Sequence, residues 1–114
     1  MIFVTGPLFA GKRAYICRAL GLDEAALQRR AVWDVQDLAR PENVETLAEE
    51  LARREIVIAT EVGGGVVPAE PAARARREAA GRLACLLAER ADTVVRVWCG
   101  LPELLKGEWP CASD

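Results

Sequence analysis

The chain contains no histidine. Mechanisms that need an imidazole base or a phosphohistidine are thereby excluded, and a zinc site would have to draw on cysteines or carboxylates. The four cysteines, Cys17, Cys85, Cys99 and Cys111, form no Cys-x-x-Cys pair. They are expected to be free thiols, three buried and one in a tail. Neither sign of charge dominates, because fifteen basic and seventeen acidic residues leave a net charge of −2. That balance gives no support to nucleic-acid or membrane binding. The opening apolar run is too short for a signal peptide or a spanning helix, so a cytoplasmic location is expected. Repeats and low-complexity segments are also missing.

What is present suffices for a folded domain. Of 114 residues, 52% are hydrophobic and 28% charged, which supports a core and excludes a disordered composition. A single domain over residues 1–114 is expected, with residues 100–114 as a tail. Ile2–Thr5 is a short apolar strand followed by Gly6, Pro7, Leu8, Phe9, Ala10, Gly11, Lys12 and Arg13. Gly-x-x-x-x-Gly-Lys between a strand and a helix is the signature of a P-loop that cradles nucleotide phosphates. Gly6 and Gly11 let the backbone curl so that N–H groups point inward, and Lys12 reaches the β- and γ-phosphates. Arg13 stands where a Ser or Thr hydroxyl normally binds magnesium, which puts Mg²⁺ at this loop in question. Either its guanidinium clamps phosphate in place of the metal, or it swings out to solvent and the metal site is lost.

Helices are predicted over 12–21 and 24–30, the second capped by Asp23, before Ala31-Val32-Trp33 forms a strand ending at Asp34. Pro41 suits the first turn of the next helix, whose inner face carries Val44, Leu47, Ala48 and Leu51. Glu49/Arg53 and Glu50/Arg54 are expected as i,i+4 pairs on its outer side. Residues 56–60 read as a buried strand followed by the glycine run Gly63-Gly64-Gly65. A long helix over 70–90 should turn Ala72, Ala79, Leu83, Leu86 and Leu87 inward. Thr93–Trp98 is a fourth strand, and the tail beyond Gly100 should wrap the surface or fray. Trp33 and Trp98 are expected in the core, and Trp109 is available as an interface anchor. Arg74, Arg76, Arg77 and Arg82 with Glu78 read as a solvated helical face, or as a phosphate or subunit-interface role for Arg74 or Arg77. The alternation of strands and helices argues for an α/β, three-layer P-loop NTPase-like fold with a four- or five-stranded, mostly parallel sheet.

The segment Thr60-Glu61-Val62-Gly63-Gly64-Gly65-Val66-Val67-Pro68 resembles the Asn-Glu-Val-Gly-x-Gly-Ile-Val-Pro segment of the bifunctional adenosylcobinamide kinase/adenosylcobinamide-phosphate guanylyltransferase family of cobalamin biosynthesis. The likeness continues at Ala73-Arg74, Arg77-Glu78, Gly81-Arg82-Leu83, Val97, Gly100-Leu101-Pro102 and Leu105-Lys106, and takes in the N-terminal strand and loop. Residues 31–38 resemble the family's strand-plus-aspartate segment, with Asp34 at the carboxylate. This chain departs from the family in lacking most of the stretch that carries the guanylyl-accepting histidine. It also has Ala10 and Arg13 in place of the family's loop serine and hydroxyl residue, and Ala84-Cys85 in place of an Asn-Gln pair.

The resemblance implies phosphoryl transfer from ATP or GTP to a cobinamide hydroxyl, without guanylyl transfer. It implies Lys12 on the phosphates, Asp34 holding magnesium through water, and Glu61 as metal partner or hydroxyl base. Asp34 could instead cap a turn, with Asp37 an equally available carboxylate, and Glu61 could be a solvated loop residue. The competing reading is a catalytically degenerate nucleotide-binding or assembly paralogue that has lost its magnesium site. Adenosylcobinamide and nucleotide are the implied ligands, and a homo-oligomer, a trimer, the implied assembly.

Overall fold

The computed structural model describes residues 1–62 and 68–112. The glycine run at 63–65 and the two valines after it therefore lie outside the described residues. Strands β1 (Ile2–Thr5), β2 (Ala31–Val32), β3 (Ile56–Ile58) and β4 (Thr93–Trp98) are parallel, and β5 (Leu101–Lys106) adds an antiparallel edge. The strand order is β2-β3-β1-β4-β5. Helices α1 (Lys12–Leu20), α2 (Glu24–Arg30), α3 (Val44–Leu51) and α4 (Pro71–Arg90) cover the sheet, with a 3₁₀ turn at Val35–Leu38. The result is the mixed α/β, mostly parallel P-loop NTPase-like fold that the alternation predicts.

Two packed layers explain why the strands are apolar on both faces. Phe3, Val57 and Val94 point to one side and meet Val44, Ala48 and Leu51 of α3 with Ala79, Leu83 and Leu87 of α4. Val4, Ile56, Ile58, Val95 and Val97 point to the other side, against Tyr15, Ile16 and Leu20 of α1 and Leu27 of α2. Burying each such leucine contributes roughly 1.5–3 kcal/mol. Local signals set the helix starts. The Asp23 carboxylate accepts the Ala26 N–H at 2.7 Å, and Pro71 opens α4 where its missing N–H costs nothing.

Several expectations are corrected by the structure. Residues 101–106 are not a fraying tail but β5, whose Lys106 Nζ donates to the Ala88 and Glu89 carbonyls at 3.1 and 2.7 Å. A cation capping the end of α4 ties this edge strand down. Pro41 lies in the turn before α3 and not within it. Because α3 stops at Leu51, Arg53 and Arg54 fall beyond its end and the expected i,i+4 pairs do not form. On α4, Ala72 is exposed and Leu86 half-buried, while Ala80 is buried, because the first turns of the helix lie largely in solvent. Trp98, at the end of β4, is 58% exposed, and Trp33 is half-buried under Arg13. The cysteines are free thiols but not buried: Cys17 is half-buried, and Cys85, Cys99 and Cys111 are exposed. Among the described residues, no helix is long and apolar enough to cross a membrane.

Gly6 is constrained by the sheet itself. Its φ is +150°, and a Cβ there would lie 2.1 Å from the Val97 carbonyl oxygen. Gly81, in the exposed middle of α4, has nothing within 4 Å of such a Cβ. Gly6→Ala is therefore expected to cost more than about 2 kcal/mol. Gly81→Ala should add about 0.5–1 kcal/mol. Urea or thermal unfolding checks both, and equal effects at the two sites would contradict the packing described.

Candidate phosphate-loop site

The loop after β1 turns through three left-handed or strained positions, Gly6 (φ +150°), Phe9 (φ +59°) and Gly11 (φ +91°). Gly11 caps α1 without a side-chain hydrogen bond, and the first turn of α1 holds no acidic residue. The first amides of that helix thus have no side-chain cap, at the end where the helix field is positive. The turn between β4 and β5 braces the loop: Gly100 N–H donates to the Ala10 carbonyl at 2.8 Å. Leu8 and Phe9 stand out from the loop, 65% and 94% exposed, while Ala10 packs inward.

Lys12 is the one buried polar or charged residue among those described. Its Nζ donates to the carbonyls of Gly6 at 3.0 Å and Pro7 at 2.7 Å, so the side chain folds back over the loop mouth. Burial pushes its pKa down, opposed by the nearby carboxylates of Asp34 and Glu61. These three predicted side chains therefore share one electrostatic neighbourhood. Glu61 reaches it because pairing with β1 continues past β3: Ala59 N–H donates to Val4 and Glu61 N–H to Gly6, at 3.0 and 2.9 Å. Asp34 reaches it through a left-handed residue (φ +52°) that turns the end of β2 into the 3₁₀ turn. Asp37 is exposed, and its own carbonyl accepts from Arg40 Nη1 at 2.9 Å. Of the two aspartates, Asp34 is the one coupled to Lys12.

Arg13 points away from the loop mouth. Its guanidinium lies 4.9 Å from the Trp33 ring centroid and 3.7 Å from Glu24 Oε1. The sequence left a phosphate clamp and a swing outward open, and the side chain takes the outward course onto an aromatic face. The residues here fit magnesium in part. The Asp34 carboxylate is exposed, whereas position 13 offers no hydroxyl and the Glu61 carboxylate is engaged by an arginine. Among the described residues, no group of three or more metal-ligating side chains converges.

That arginine is Arg96, which sequence reasoning missed. Its Nε and Nη2 donate to Glu61 Oε1 and Oε2 at 2.5 and 3.0 Å, and it stacks 5.0 Å from the Trp98 ring centroid. The signal was an arginine inside the otherwise apolar run Thr-Val-Val-Arg-Val-Trp. Gln36 was missed as well: its Oε1 accepts the Thr60 N–H at 2.9 Å, and its Nε2 donates to Asp34 Oδ1 at 3.4 Å. It links the end of β3 to the aspartate. Gln36, Thr60, Glu61 and Val62 line a small cavity of about 80 Å³ against α4.

The family model described as cobinamide kinase / cobinamide phosphate guanyltransferase matches residues 17–105. A search of curated proteins finds no match. The matched segment contains Asp34, Gln36, Glu61 and Arg96 and begins after the loop, so the reading of residues 6–13 rests on their own sequence and geometry.

The Glu61–Arg96 pair makes a test by pH. The hydrogen bonds from Arg96 hold the Glu61 carboxyl below its usual range. A depressed carboxylate pKa contributes stability above the unfolded value, near pH 4.3, and loses it as pH falls through the folded value. Arg96→Met should then lower the unfolding midpoint at pH 7, modestly because both side chains are partly exposed. That difference should shrink as pH drops below about 4.3. Unfolding midpoints of both proteins across pH 3–7 check this, and a pH-independent difference would contradict it.

Proposed function

The chain belongs to the cobinamide kinase / cobinamide phosphate guanyltransferase family, and from that premise we propose that it is an adenosylcobinamide-kinase-like enzyme of cobalamin biosynthesis. It binds ATP or GTP at residues 6–13 and transfers the γ-phosphoryl group to a cobinamide hydroxyl, without guanylyl transfer. The observation that carries this reading is the meeting of buried Lys12 with Asp34 and Glu61 at the mouth of a loop whose helix amides are uncapped.

Such a transfer needs positioning and charge neutralisation more than covalent chemistry by the protein. Loop amides and Lys12 take the charge that spreads over the phosphoryl oxygens, with Lys12 exchanging its carbonyl partners for phosphate oxygens. The acceptor oxygen bonds to phosphorus, the bridge to the leaving diphosphate breaks, and the hydroxyl proton passes to Glu61 or solvent. Because Arg96 depresses the Glu61 pKa, Glu61 orients the hydroxyl better than it removes the proton early. A divalent ion, when bound, would offset phosphate charge, and Asp34 is the carboxylate available to it through water. Without a histidine, no side chain here can form the family's guanylylated intermediate.

The second reading is a nucleotide-binding paralogue without turnover. The place of Arg13 on Trp33, with no hydroxyl at the usual metal position, favours it. Both readings take the protein as one nucleotide-binding unit in the cytoplasm and as a homo-oligomer, a trimer. Exposed Trp98, Leu101 and Leu105 along the sheet edge support association.

Incubation of the protein with adenosylcobinamide and γ-labelled ATP or GTP should give a labelled product, and Lys12→Ala should remove at least about 2.7 kcal/mol of transition-state stabilisation, a hundredfold in rate. Lack of product from folded protein that still gains thermal stability from nucleotide without magnesium would select the second reading. Lack of both would overturn both.

A further inference from the structure

A second basic site lies apart from the phosphate loop. Between the 3₁₀ turn and the first half of α4 is an open cleft of about 460 Å³, lined by Gln36, Asp37, Arg40, Val62, Arg76 and Arg77. It presents three guanidinium groups against one carboxylate. Gln36 and Val62 also line the small cavity beside Glu61, so the two spaces adjoin.

Arginines are concentrated in the first half of α4. Glu70 is its N-cap, Arg74 closes its first turn, and Arg76 and Arg77 lie in the second. Arg74 donates to the Pro68 and Ala69 carbonyls at 3.4 and 3.1 Å, and Arg76 and Arg77 line the cleft. Across from them, Arg40 is oriented by donating Nη1 to the carbonyls of Asp37 and Ala39, at 2.9 and 2.7 Å. A planar guanidinium held in this way presents its remaining N–H groups in a fixed fork, the geometry suited to phosphate.

We propose that this cleft is an oxyanion site, separate from residues 6–13, that takes the phosphate of a small phosphomonoester. Arg40, Arg76 and Arg77 supply the donors. Gln36 and Val62 form the wall shared with the space beside Glu61, so a phosphate held here keeps the rest of its molecule next to that carboxylate. Asp37 is the one carboxylate among the lining residues, and the three arginines outweigh its charge.

Inorganic phosphate, titrated into the full chain by calorimetry with arginine Nε–H resonances followed by NMR, is the direct probe. Phosphate should shift the resonances of Arg76 and Arg77, and Lys12→Ala should retain that response. The double variant Arg76→Ala/Arg77→Ala and the single variant Arg40→Ala should each weaken cleft binding by about tenfold or more. Unchanged phosphate affinity in these folded variants, complete loss in Lys12→Ala, or no phosphate binding at all would each overturn the proposal. Failure of the kinase reading is seen separately, since stabilisation by ATP or GTP depends on Lys12 and not on these arginines.

Discussion

The carbonyl of Gly6 is the point on which the site depends. It accepts the Lys12 Nζ at 3.0 Å and the Glu61 N–H at 2.9 Å, joining the loop lysine to the chain leaving β3. The residue can hold this place only without a side chain, because the Val97 carbonyl occupies the position of any Cβ. Gly6 thus links the chain leaving β1 to the chain leaving β3 and packs closely on the C-terminal end of β4. In open parallel sheets that is the end where ligands bind. The uncapped amides of α1 and the carboxylates of Asp34 and Glu61 surround a space made by this constraint.

Charge is balanced in stages around that point. Lys12 is desolvated, and the nearby carboxylates favour its charged form. Glu61 is in turn held by the forked contact from Arg96, which stacks on exposed Trp98. A preorganised cation and an anion fixed in place suit phosphoryl transfer, where the protein stabilises charge it did not create. Family membership fits this arrangement, since the matched residues 17–105 include the Asp34 and Glu61 sides of the site. Arg13 departs from the pattern by turning to Trp33, and it marks where metal assistance is weakest.

Much of this was legible in the sequence, for identifiable reasons. The strand, glycines and lysine of residues 2–12 carry a local signal, because loop geometry and helix start depend on neighbouring residues. The two-sided apolar strands announced a parallel sheet covered on both faces. What was not legible depends on contacts distant in sequence. Glu61 and Arg96 meet only because β3 and β4 both pair with β1 in a particular register. Leu101–Lys106 has weak alternation and a proline, which an antiparallel edge strand tolerates and a tail also permits. The early end of α3 moved both arginines off the face that helical spacing assigned them. Trp98 and three of the cysteines were assigned inward by residue type, whereas Trp98 and Cys99 fall at the end of β4 and Cys17 and Cys85 sit on the less buried sides of α1 and α4.

The central claim is that residues 6–13 hold the phosphates of a nucleotide. Backbone amide NMR of the ¹⁵N-labelled chain titrated with ATP or GTP tests it most directly. The amides of Leu8, Phe9, Ala10, Gly11, Lys12 and Arg13 should show the largest shifts, and Lys12→Ala should abolish them. Unmoved loop amides at saturating nucleotide, or shifts confined to another part of the fold, would contradict the account.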